Sequence, residues 1–485
     1  MRRFHWLRLF AAGILFVLGP MVAPASGDTG SHRLNRLIVL TDIKADPDDE
    51  QSLVRLVLYA NEIDIEGIIA TTSTHKRSDP APEAIRDIIG AYGEVRANLL
   101  LHDPAFPAEE ALLGLVKTGS PAYGMSGVGK GKRSEGSDWI IEALQKDDDR
   151  PLWISVWGGV NTLAQALYDI RANYPETDAA RMISKLRVYT ISDQDDSGAW
   201  IRREFPDLFY IVSPGSYARS TWTAFTGGFP GFSDYISNAW LADNIQQGHG
   251  PLGAKYPDVA WGVEGDTPSY LGLIPNGLGV PEHPDWGGWG GRYELYTPGD
   301  EEIGVGSDGP GNVRIEPETR PIWTNAVDTF TPWVRTDFGR SIGPVDQSYE
   351  SNHVTLLRWR DDIQRDFAAR MDWTINDFEN ANHPPIVLLT TKPELTARSG
   401  EGLWLDASKT HDPDGDSLTY HWFNYAEAGT LDEPIEMGWA VNQPGVYFTL
   451  PKVSSHQTAH FILAVSDKGD PALTRYARVI VTIEP

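Results

Sequence analysis

Residues 37–49 decide the fold of the first part of the chain. They read Leu37-Ile38-Val39-Leu40 followed by Thr41-Asp42-Ile43-Lys44-Ala45-Asp46-Pro47-Asp48-Asp49. The apolar run predicts a strand that is buried on both faces, and residues 50–61 predict the helix that follows it. Carboxylates at the C-terminal end of such a strand lie where open α/β sheets bind their ligands. The segment therefore predicts an α/β domain with a site at its first strand.

The acidic residues of this segment are unusually dense, because Asp42, Asp46, Asp48 and Asp49 fall within nine positions. Carboxylates this close repel one another unless a positive charge neutralises them. A hard cation such as Ca²⁺ or Mg²⁺ accepts ligands that are all oxygen. An acidic helix N-terminus is the alternative, since aspartates near a first turn interact well with the helix dipole. That alternative accounts for only one or two of the four, so the pattern favours a metal or catalytic site.

The composition excludes several classes of protein. The 485-residue chain carries a net charge of −26, which argues against partners such as nucleic acid or anionic membranes. It has no cysteine, which rules out disulfides, zinc–thiolate sites and a cysteine nucleophile. Its 17 tryptophans and 18 tyrosines suit stacking on sugar or base rings, although aromatic residues also fill cores.

The N-terminus has the pattern of a secretory signal peptide over residues 1–25. Arginines at positions 2, 3 and 8 precede an apolar run at residues 9–18, and Ala23-Pro24-Ala25 offers a cleavage site. The run is shorter than the roughly 20 residues that span a bilayer. We expect a secreted or periplasmic protein with no membrane contact after cleavage; an uncleaved anchor is the alternative.

The rest of the chain divides into two parts. Strand-like and helix-like segments alternate through residues 34–380, which predicts a doubly wound, mostly parallel sheet. A helix is expected at residues 322–327. Asn382-His383-Pro384-Pro385 is typical of a linker, and residues 386–485 contain short alternating strands separated by turns. They predict a C-terminal Ig-like β-sandwich.

Polar and aromatic residues near the predicted strand ends are candidates for substrate contacts. His75 is expected to donate a proton or bind a sugar hydroxyl, and Asn161 either binds a hydroxyl or caps a helix. Asp193 begins an acidic cluster that binds substrate or forms a solvated loop. The residues expected to stack on sugars are Trp200, Trp286 and Trp289, the last two within a Gly-rich loop that is expected to shape the site.

The first part of the chain resembles the nucleoside hydrolase superfamily. Thr41-Asp42 and Asp48-Asp49 match the ends of its Asp-rich calcium loop, and Trp157-Gly158-Gly159-Val160-Asn161 resembles its Thr-Gly-Pro-Leu-Thr-Asn segment. Glu264-Gly265-Asp266 resembles its late metal-binding segment. The resemblance implies that Ca²⁺ is held by Asp42, Asp49, Asp266 and the carbonyl of Trp157, with Asp46 and Asp48 beside it.

The chain departs from that family at the residue that deprotonates the attacking water. An ungapped alignment from Asp49 places Lys44 there, whereas a two-residue insertion places Asp42 there, and Asp46 is a third candidate. The sequence leaves these alternatives open, so our expected catalytic residues are Asp42, Asp46 and Asp48.

The whole architecture resembles a family of secreted bacterial proteins named for cellulose binding. That family joins a nucleoside-hydrolase-like domain to an Ig-like domain, and residues 405–420 also resemble polycystic-kidney-disease-type repeats. We expect a calcium-dependent hydrolase of glycosyl bonds that acts on a saccharide. The alternatives are a non-catalytic carbohydrate-binding protein and an N-ribohydrolase of nucleosides.

Overall fold

The first strand has the surroundings that its sequence predicts. The computed structural model describes residues 33–485, apart from 337–338, 345–346 and 438–441. Strand β1 (Arg36–Thr41) is buried along its whole length and pairs in parallel with a strand on each side. Leu37 and Val39 enter one apolar core, while Ile38 and Leu40 enter the other. The sheet is therefore covered on both faces, which a continuous apolar strand requires.

The described strands and helices follow in chain order. The further strands are β2 (Asp64–Ala70), β3 (Val116–Thr118), β4 (Leu152–Val156), β5 (Leu186–Thr190), β6 (Phe209–Val212), β7 (Tyr293–Tyr296), β8 (Ile322–Asn325), β9 (Asp328–Phe330), β10 (Trp333–Thr336), β11 (Gly339–Pro344), β12 (Tyr349–Ser351), β13 (Glu394–Arg398), β14 (Gly402–Asp406), β15 (Thr419–Asn424), β16 (Gly445–Thr449), β17 (Gln457–Ser466) and β18 (Thr474–Glu484). The α-helices are α1 (Asp48–Val57), α2 (Pro82–His102), α3 (Glu109–Leu113), α4 (Glu135–Gln145), α5 (Asn161–Asn173), α6 (Glu176–Ser184), α7 (Ser197–Glu204), α8 (Thr223–Thr226), α9 (Asn238–Leu241), α10 (Gly250–Gly253), α11 (Pro268–Leu271), α12 (Asp300–Ile303) and α13 (Val354–Asp372).

The large sheet has the strand order β3-β2-β1-β4-β5-β6-β8-β7. All neighbouring strands in it are parallel except β7, which runs antiparallel to β8 at the edge. The chain order reverses between β1 and β4, so their carboxyl ends flank the crevice in which such sheets bind ligands. The predicted doubly wound, mostly parallel sheet is confirmed.

One predicted element is wrong. Residues 322–327 were expected to form a helix, but Ile322–Asn325 form β8, with Ile322 and Thr324 buried. A short apolar run has no periodicity long enough to separate a helix from a buried strand. Its pairing with β6 and β7, which are distant in sequence, decides the outcome.

The C-terminal residues form a sandwich. A sheet of order β13-β18-β17-β15 faces the pair β14-β16, and the described strands enclose a third apolar core. Leu405 and Phe448 of the strand pair pack in this core with Phe461 and Val481 of the larger sheet. The predicted β-sandwich is confirmed. It packs on the α/β part so closely that Leu34–Pro485 form one compact unit.

Two expectations concern membranes and export. Among the described residues, no helix is both long and apolar enough to cross a bilayer. The predicted signal peptide at residues 1–25 lies outside the described residues.

A buried carboxylate joins the two parts of the chain. Asp366 on α13 accepts hydrogen bonds from the hydroxyl of Tyr59 (2.7 Å), from Arg370 (3.2 Å) and from Arg475 on β18 (2.5 Å). Burial raises the pKa of Asp366, but Arg475 and Arg370 outweigh it and hold the pKa below its ordinary value. The carboxylate is therefore a charged link between the helix and the sandwich.

We predict that Asp366→Ala lowers the free energy of unfolding by about 3–5 kcal/mol, because the buried Arg370 and the largely buried Arg475 lose a carboxylate partner. Denaturant unfolding of the full chain measures this change. The contribution of Asp366 is present above its ordinary pKa of about 4 and falls as the pH decreases through its lower folded-state value. Glu83→Ala, which removes the exposed Arg86–Glu83 pair, is the control and should change stability by at most about 0.5 kcal/mol. An equal effect of both variants would contradict the assignment.

Candidate functional site

The loops at the carboxyl ends of β1, β2, β4 and β5 surround a cavity of ≈ 350 Å³. Polar residues from several of the predicted strand ends do converge here. The cavity is lined by Asp42, Asp46, Asp48, Asp49, His75, Trp157, Ile191, Gln194, Tyr217, Trp222, Thr223, Thr226, Trp261, Gly262 and Asp266. It combines five carboxylates with aromatic rings, a composition that suits a polar ligand with apolar faces.

The loop between β1 and α1 folds so that its carboxylates meet. The backbone turns after Asp42, whose carbonyl accepts from the amide of Ala45 (3.0 Å), and Lys44 adopts a φ of 76°. Helix α1 then begins at Asp48. As a result, the carboxylates of Asp46, Asp48 and Asp49 each place an oxygen within 4.8 Å of the others.

Two of the aspartates are fixed by neighbouring hydroxyl groups. Ser73, after β2, donates to Asp42, and Thr41 donates to Asp49. Both carboxylates are buried, with side chains 3% and 2% exposed. Gly158 leaves room for Asp42, since a Cβ there would lie 2.4 Å from its Oδ1. These contacts hold the two carboxylates in defined positions at the floor of the cavity.

Asp266 reaches the cluster from a distant part of the chain. It follows Glu264, which has a φ of 46° and forms a fully buried ion pair with Arg55 on α1 (2.5 Å). Asp266 is 2% exposed, and its Oδ2 has no hydrogen-bond partner among the described residues. A buried carboxylate oxygen without a hydrogen-bond donor lowers the stability of the fold. We therefore expect a cation or a proton at this atom.

Burial and crowding raise the pKa values of four of the cavity acids. Burial, opposed by the Ser73 hydrogen bond and reinforced by Asp46, raises the pKa of Asp42 to about 7. Burial and the neighbouring carboxylates raise the pKa values of Asp48, Asp49 and Asp266 well above the ordinary range. A divalent cation would remove this repulsion. The donor set is entirely oxygen, so the residues present fit Ca²⁺.

Trp157 lines the cavity beside the acidic residues. Its amide donates to the carbonyl of Leu40 (2.8 Å), which continues the ladder between β1 and β4. Its own carbonyl accepts from Nε2 of Gln194 (2.7 Å), and the Oε1 of Gln194 is buried without a partner in the described part of the chain. The carbonyl of Trp157 and the amide of Gln194 thus add oxygen atoms beside the carboxylates.

The three positions considered for the catalytic base have different surroundings. Lys44 points away from the cluster and pairs with Glu50 (2.5 Å), with about half of its side chain exposed. Asp42 and Asp46 both line the cavity. The position that an ungapped alignment assigns to the base is therefore turned towards solvent, whereas Asp42 and Asp46 face the cavity.

His75 lies at the rim of the cavity. Its Nε2 lies 3.0 Å from the hydroxyl of Tyr217, and its backbone amide donates to Ser73 (2.9 Å). The tyrosine is partly buried, and burial raises the pKa of its hydroxyl. The pair can exchange a proton with a bound molecule.

Sequence reasoning singled out none of the aromatic lining residues Tyr217, Trp222 and Trp261, and it included Gln194 only as part of the cluster that Asp193 begins. Trp261 is 89% exposed at the rim, whereas Trp222 is buried beside Tyr217 (ring centroids 5.2 Å apart). Trp222 and Trp261 lie within residues 221–320, a long stretch that is rich in Gly, Pro, Trp and Tyr and has little periodicity, and nothing in the local pattern separates them from the other tryptophans there. Gln194 lies one position beyond the predicted Asp193.

Two predicted polar contacts are not brought into the cavity. Asn161 is fully buried, and its amide donates to the carbonyl of Ala122 (2.7 Å). It is also not a helix cap, because Val160 occupies that position. Asp193 forms a two-point ion pair with Arg202 (2.7 and 2.8 Å) and lines a separate, small pocket. Both side chains have structural partners in place of a substrate.

The three tryptophans expected to stack on sugars also lie elsewhere. Trp200 packs against Phe205 (centroids 5.8 Å apart) on α7. Trp286 stacks on His283 (3.9 Å) and meets His460 of the sandwich edge-on, while Trp289 is 1% exposed against Tyr476. The Gly-rich loop packs against the sandwich, and none of the three tryptophans lines the acidic cavity.

Two protein-family models match long segments of this chain. The family model "Cellulose-binding Sde182, nucleoside hydrolase-like domain" matches residues 36–293, and "Cellulose-binding protein Sde0182, C-terminal domain" matches residues 402–483. No curated protein matches the chain.

One solved structure is similar over almost the whole chain. It is a nucleoside hydrolase-related hypothetical protein from Saccharophagus degradans, described as associated with carbohydrate metabolism. It is 33% identical, has a TM-score of 0.76, and the match covers 93% of this chain and 100% of that one. The PKD domain from KIAA 1837 protein is 22% identical over 20% of this chain and 86% of its own, with a TM-score of 0.15.

The family models cover the α/β domain from β1 to β7 and most of the sandwich, and the similar structure has both parts. The first match alone spans more than half of the chain. This chain therefore belongs to the cellulose-binding Sde182 family, with its nucleoside hydrolase-like domain and its own C-terminal domain.

Proposed function

We propose that this protein is a calcium-dependent hydrolase that cleaves a glycosyl bond in a saccharide at the acidic cavity. The observation that carries the proposal is the buried Oδ2 of Asp266, which lacks a hydrogen-bond partner within the described structure and lies in an acid-lined cavity. The family name and the description of the similar structure support a carbohydrate as the ligand.

The residues that would hold calcium are those implied by the family resemblance. They are Asp42, Asp49, Asp266 and the carbonyl of Trp157, with Asp46 and Asp48 close enough to contribute. Bound Ca²⁺ supplies positive charge that lowers the pKa of water and orients substrate hydroxyls. Side chains of the cavity would carry out the proton transfers and stabilise the charge on the sugar.

Asp42 and Asp46 are the two carboxylates placed to take a proton from the attacking water. In the metal-free protein burial raises the pKa of Asp42 to about 7, and a bound cation would lower it, so that the carboxylate is ionised and can accept a proton. The surrounding carboxylates also stabilise the positive charge that develops on the sugar ring in glycosyl transfer.

Residues at the rim of the cavity would supply a proton donor for the leaving group and aromatic surfaces for the sugar ring. The His75–Tyr217 pair can give a proton to the departing oxygen, because their polar atoms are 3.0 Å apart beside the cavity. Trp222 and Trp261 offer aromatic faces to a sugar. In this proposal Trp222 and Trp261 stack on the sugar, a role that the sequence analysis gave to Trp200, Trp286 and Trp289. Export through the predicted signal peptide would bring the enzyme to saccharides outside the cell.

A non-catalytic carbohydrate-binding protein is the second candidate. The ungapped alignment, which places Lys44 at the position of the family's base, and the highly exposed Trp261 favour it. An N-ribohydrolase acting on nucleosides is the third, since the matched domain is described as nucleoside hydrolase-like.

A substrate panel separates these functions. The full mature chain is incubated with cellulose, other plant polysaccharides, inosine and uridine, with calcium and then with chelator. Release of reducing sugar from a polysaccharide that stops with chelator is the expected result. Binding without release would favour the second candidate, and release of ribose would favour the third.

We predict that Asp49→Ala abolishes calcium binding, because it removes a buried ligand that also lies among three other acids. Calcium content of the purified variant after dialysis measures this. Asp147→Ala removes an exposed acid of the same chain and is the matched control. Unchanged calcium content in the Asp49 variant would remove this residue from the site.

We predict that calcium raises the unfolding temperature more at pH 8 than at pH 5. The raised pKa values mean that the metal-free protein loses stability as the pH rises from the ordinary aspartate pKa of about 4 through the higher folded-state values, near 7 for Asp42. Calcium offsets the repulsion only where the carboxylates are ionised. Thermal unfolding with calcium or chelator at both pH values provides the test, and a calcium effect that is independent of pH would contradict it.

A further inference from the structure

The outer face of the strand pair β14–β16 carries two exposed aromatic side chains. Trp404 and Tyr447 lie directly opposite each other in the antiparallel register. Their side chains are 59% and 61% exposed, although both lie on a regular two-stranded sheet. Large aromatic residues placed together on a surface usually mark a contact site.

Each ring reaches across to a glycine on the other strand. A Cβ at Gly445 would lie 2.4 Å from Cζ2 of Trp404, and a Cβ at Gly402 would overlap the phenol of Tyr447. Any side chain at either glycine would therefore push a ring off the sheet. The inner sides of the rings rest on backbone, and their outer sides face solvent.

The two rings extend towards opposite ends of the strand pair. Gly445 pairs with Asp406, which is four residues beyond Gly402 on β14, so the two glycines are about 13 Å apart along the strands. Trp404 and Tyr447 therefore form an elongated apolar strip, which we call the aromatic platform. Its length suits an extended chain of several sugars better than a single one.

The charge around the aromatic platform indicates a neutral ligand. Asp406 and Thr449 are the polar residues on this face of the two strands, and Asp406 already accepts from the hydroxyls of Thr390 (2.9 Å) and Ser408 (3.1 Å). The centre of the platform is uncharged. The net charge of −26 on the chain repels anionic polymers.

We propose that the aromatic platform docks a neutral polysaccharide chain, separately from the acidic cavity. The rings of Trp404 and Tyr447 stack on sugar faces, and the hydroxyls of Tyr447 and Thr449 bind sugar hydroxyls. The proposal rests on the proposed function only in taking its ligand from the same chemical class. The sandwich would hold the polymer while the cavity acts on it.

The test measures binding of the full mature chain to microcrystalline cellulose and to soluble cellohexaose. Trp404→Ala and Tyr447→Ala are each expected to weaken binding about tenfold, as loss of one stacking contact of about 1.4 kcal/mol would do. The double variant should not be retained on cellulose. Trp404→Phe and Tyr447→Phe keep the rings and should keep most of the binding.

Leu295→Ala is the control, because Leu295 is 55% exposed on the α/β part and lies outside the platform. Asp49→Ala separates the two proposals: it should lose calcium and hydrolysis yet bind cellulose, whereas the platform variants should bind calcium. The unfolding midpoint of each variant reports whether it folds.

Three results would overturn the proposal. Unchanged binding in the double variant with a lower unfolding midpoint would show that the rings only cover the glycines. A wild-type dimer that the alanine variants dissociate would make the platform a contact between two copies. Platform-dependent binding of polygalacturonate would exclude the neutral ligand.

Discussion

The buried ion pair between Arg55 and Glu264 sets the geometry on which the site depends. Arg55 lies on α1, which begins with Asp48 and Asp49, and Glu264 comes two residues before Asp266. The pair therefore joins the two chain segments that supply carboxylates. Both side chains are fully buried, a situation that is costly unless every donor and acceptor is used.

The surroundings of this pair meet that condition. Tyr256 and Thr267 donate to Glu264 (2.7 Å each), and Arg55 lies over the ring of Phe367 (3.9 Å) and donates to α13. The positive φ of Glu264 is maintained by these contacts. These contacts make the ion pair a rigid support. Such a support can hold mutually repelling aspartates close together.

In our proposals the acidic cavity of the α/β part acts on the saccharide and the aromatic platform of the sandwich holds it. The sandwich is not a loosely tethered module, because Arg475 and Arg478 on β18 bind α13 and the Gly-rich loop. That contact explains why Trp286 and Trp289 pack in an interface. Among the residues whose burial the structure describes, the most exposed aromatic side chains are Trp261 at the cavity and Trp404 and Tyr447 of the platform.

The sequence by itself determined the features that depend on neighbouring residues. The continuous apolar run of β1, the alternation of strands and helices and the short alternating strands after residue 385 are local patterns, and they predicted both folds. The cluster of Asp42, Asp46, Asp48 and Asp49 was visible for the same reason.

Only the tertiary structure decided how distant residues meet. It placed Gln194 and not Asp193 at the cavity, turned Lys44 outwards, and buried Asn161 against Ala122. It also made residues 322–325 a strand and packed the sandwich against the Gly-rich loop that contains Trp286 and Trp289. Each of these outcomes depends on packing between segments far apart in the chain, whose free energy no local periodicity records, whereas a strand or an acidic loop is specified by residues that lie side by side.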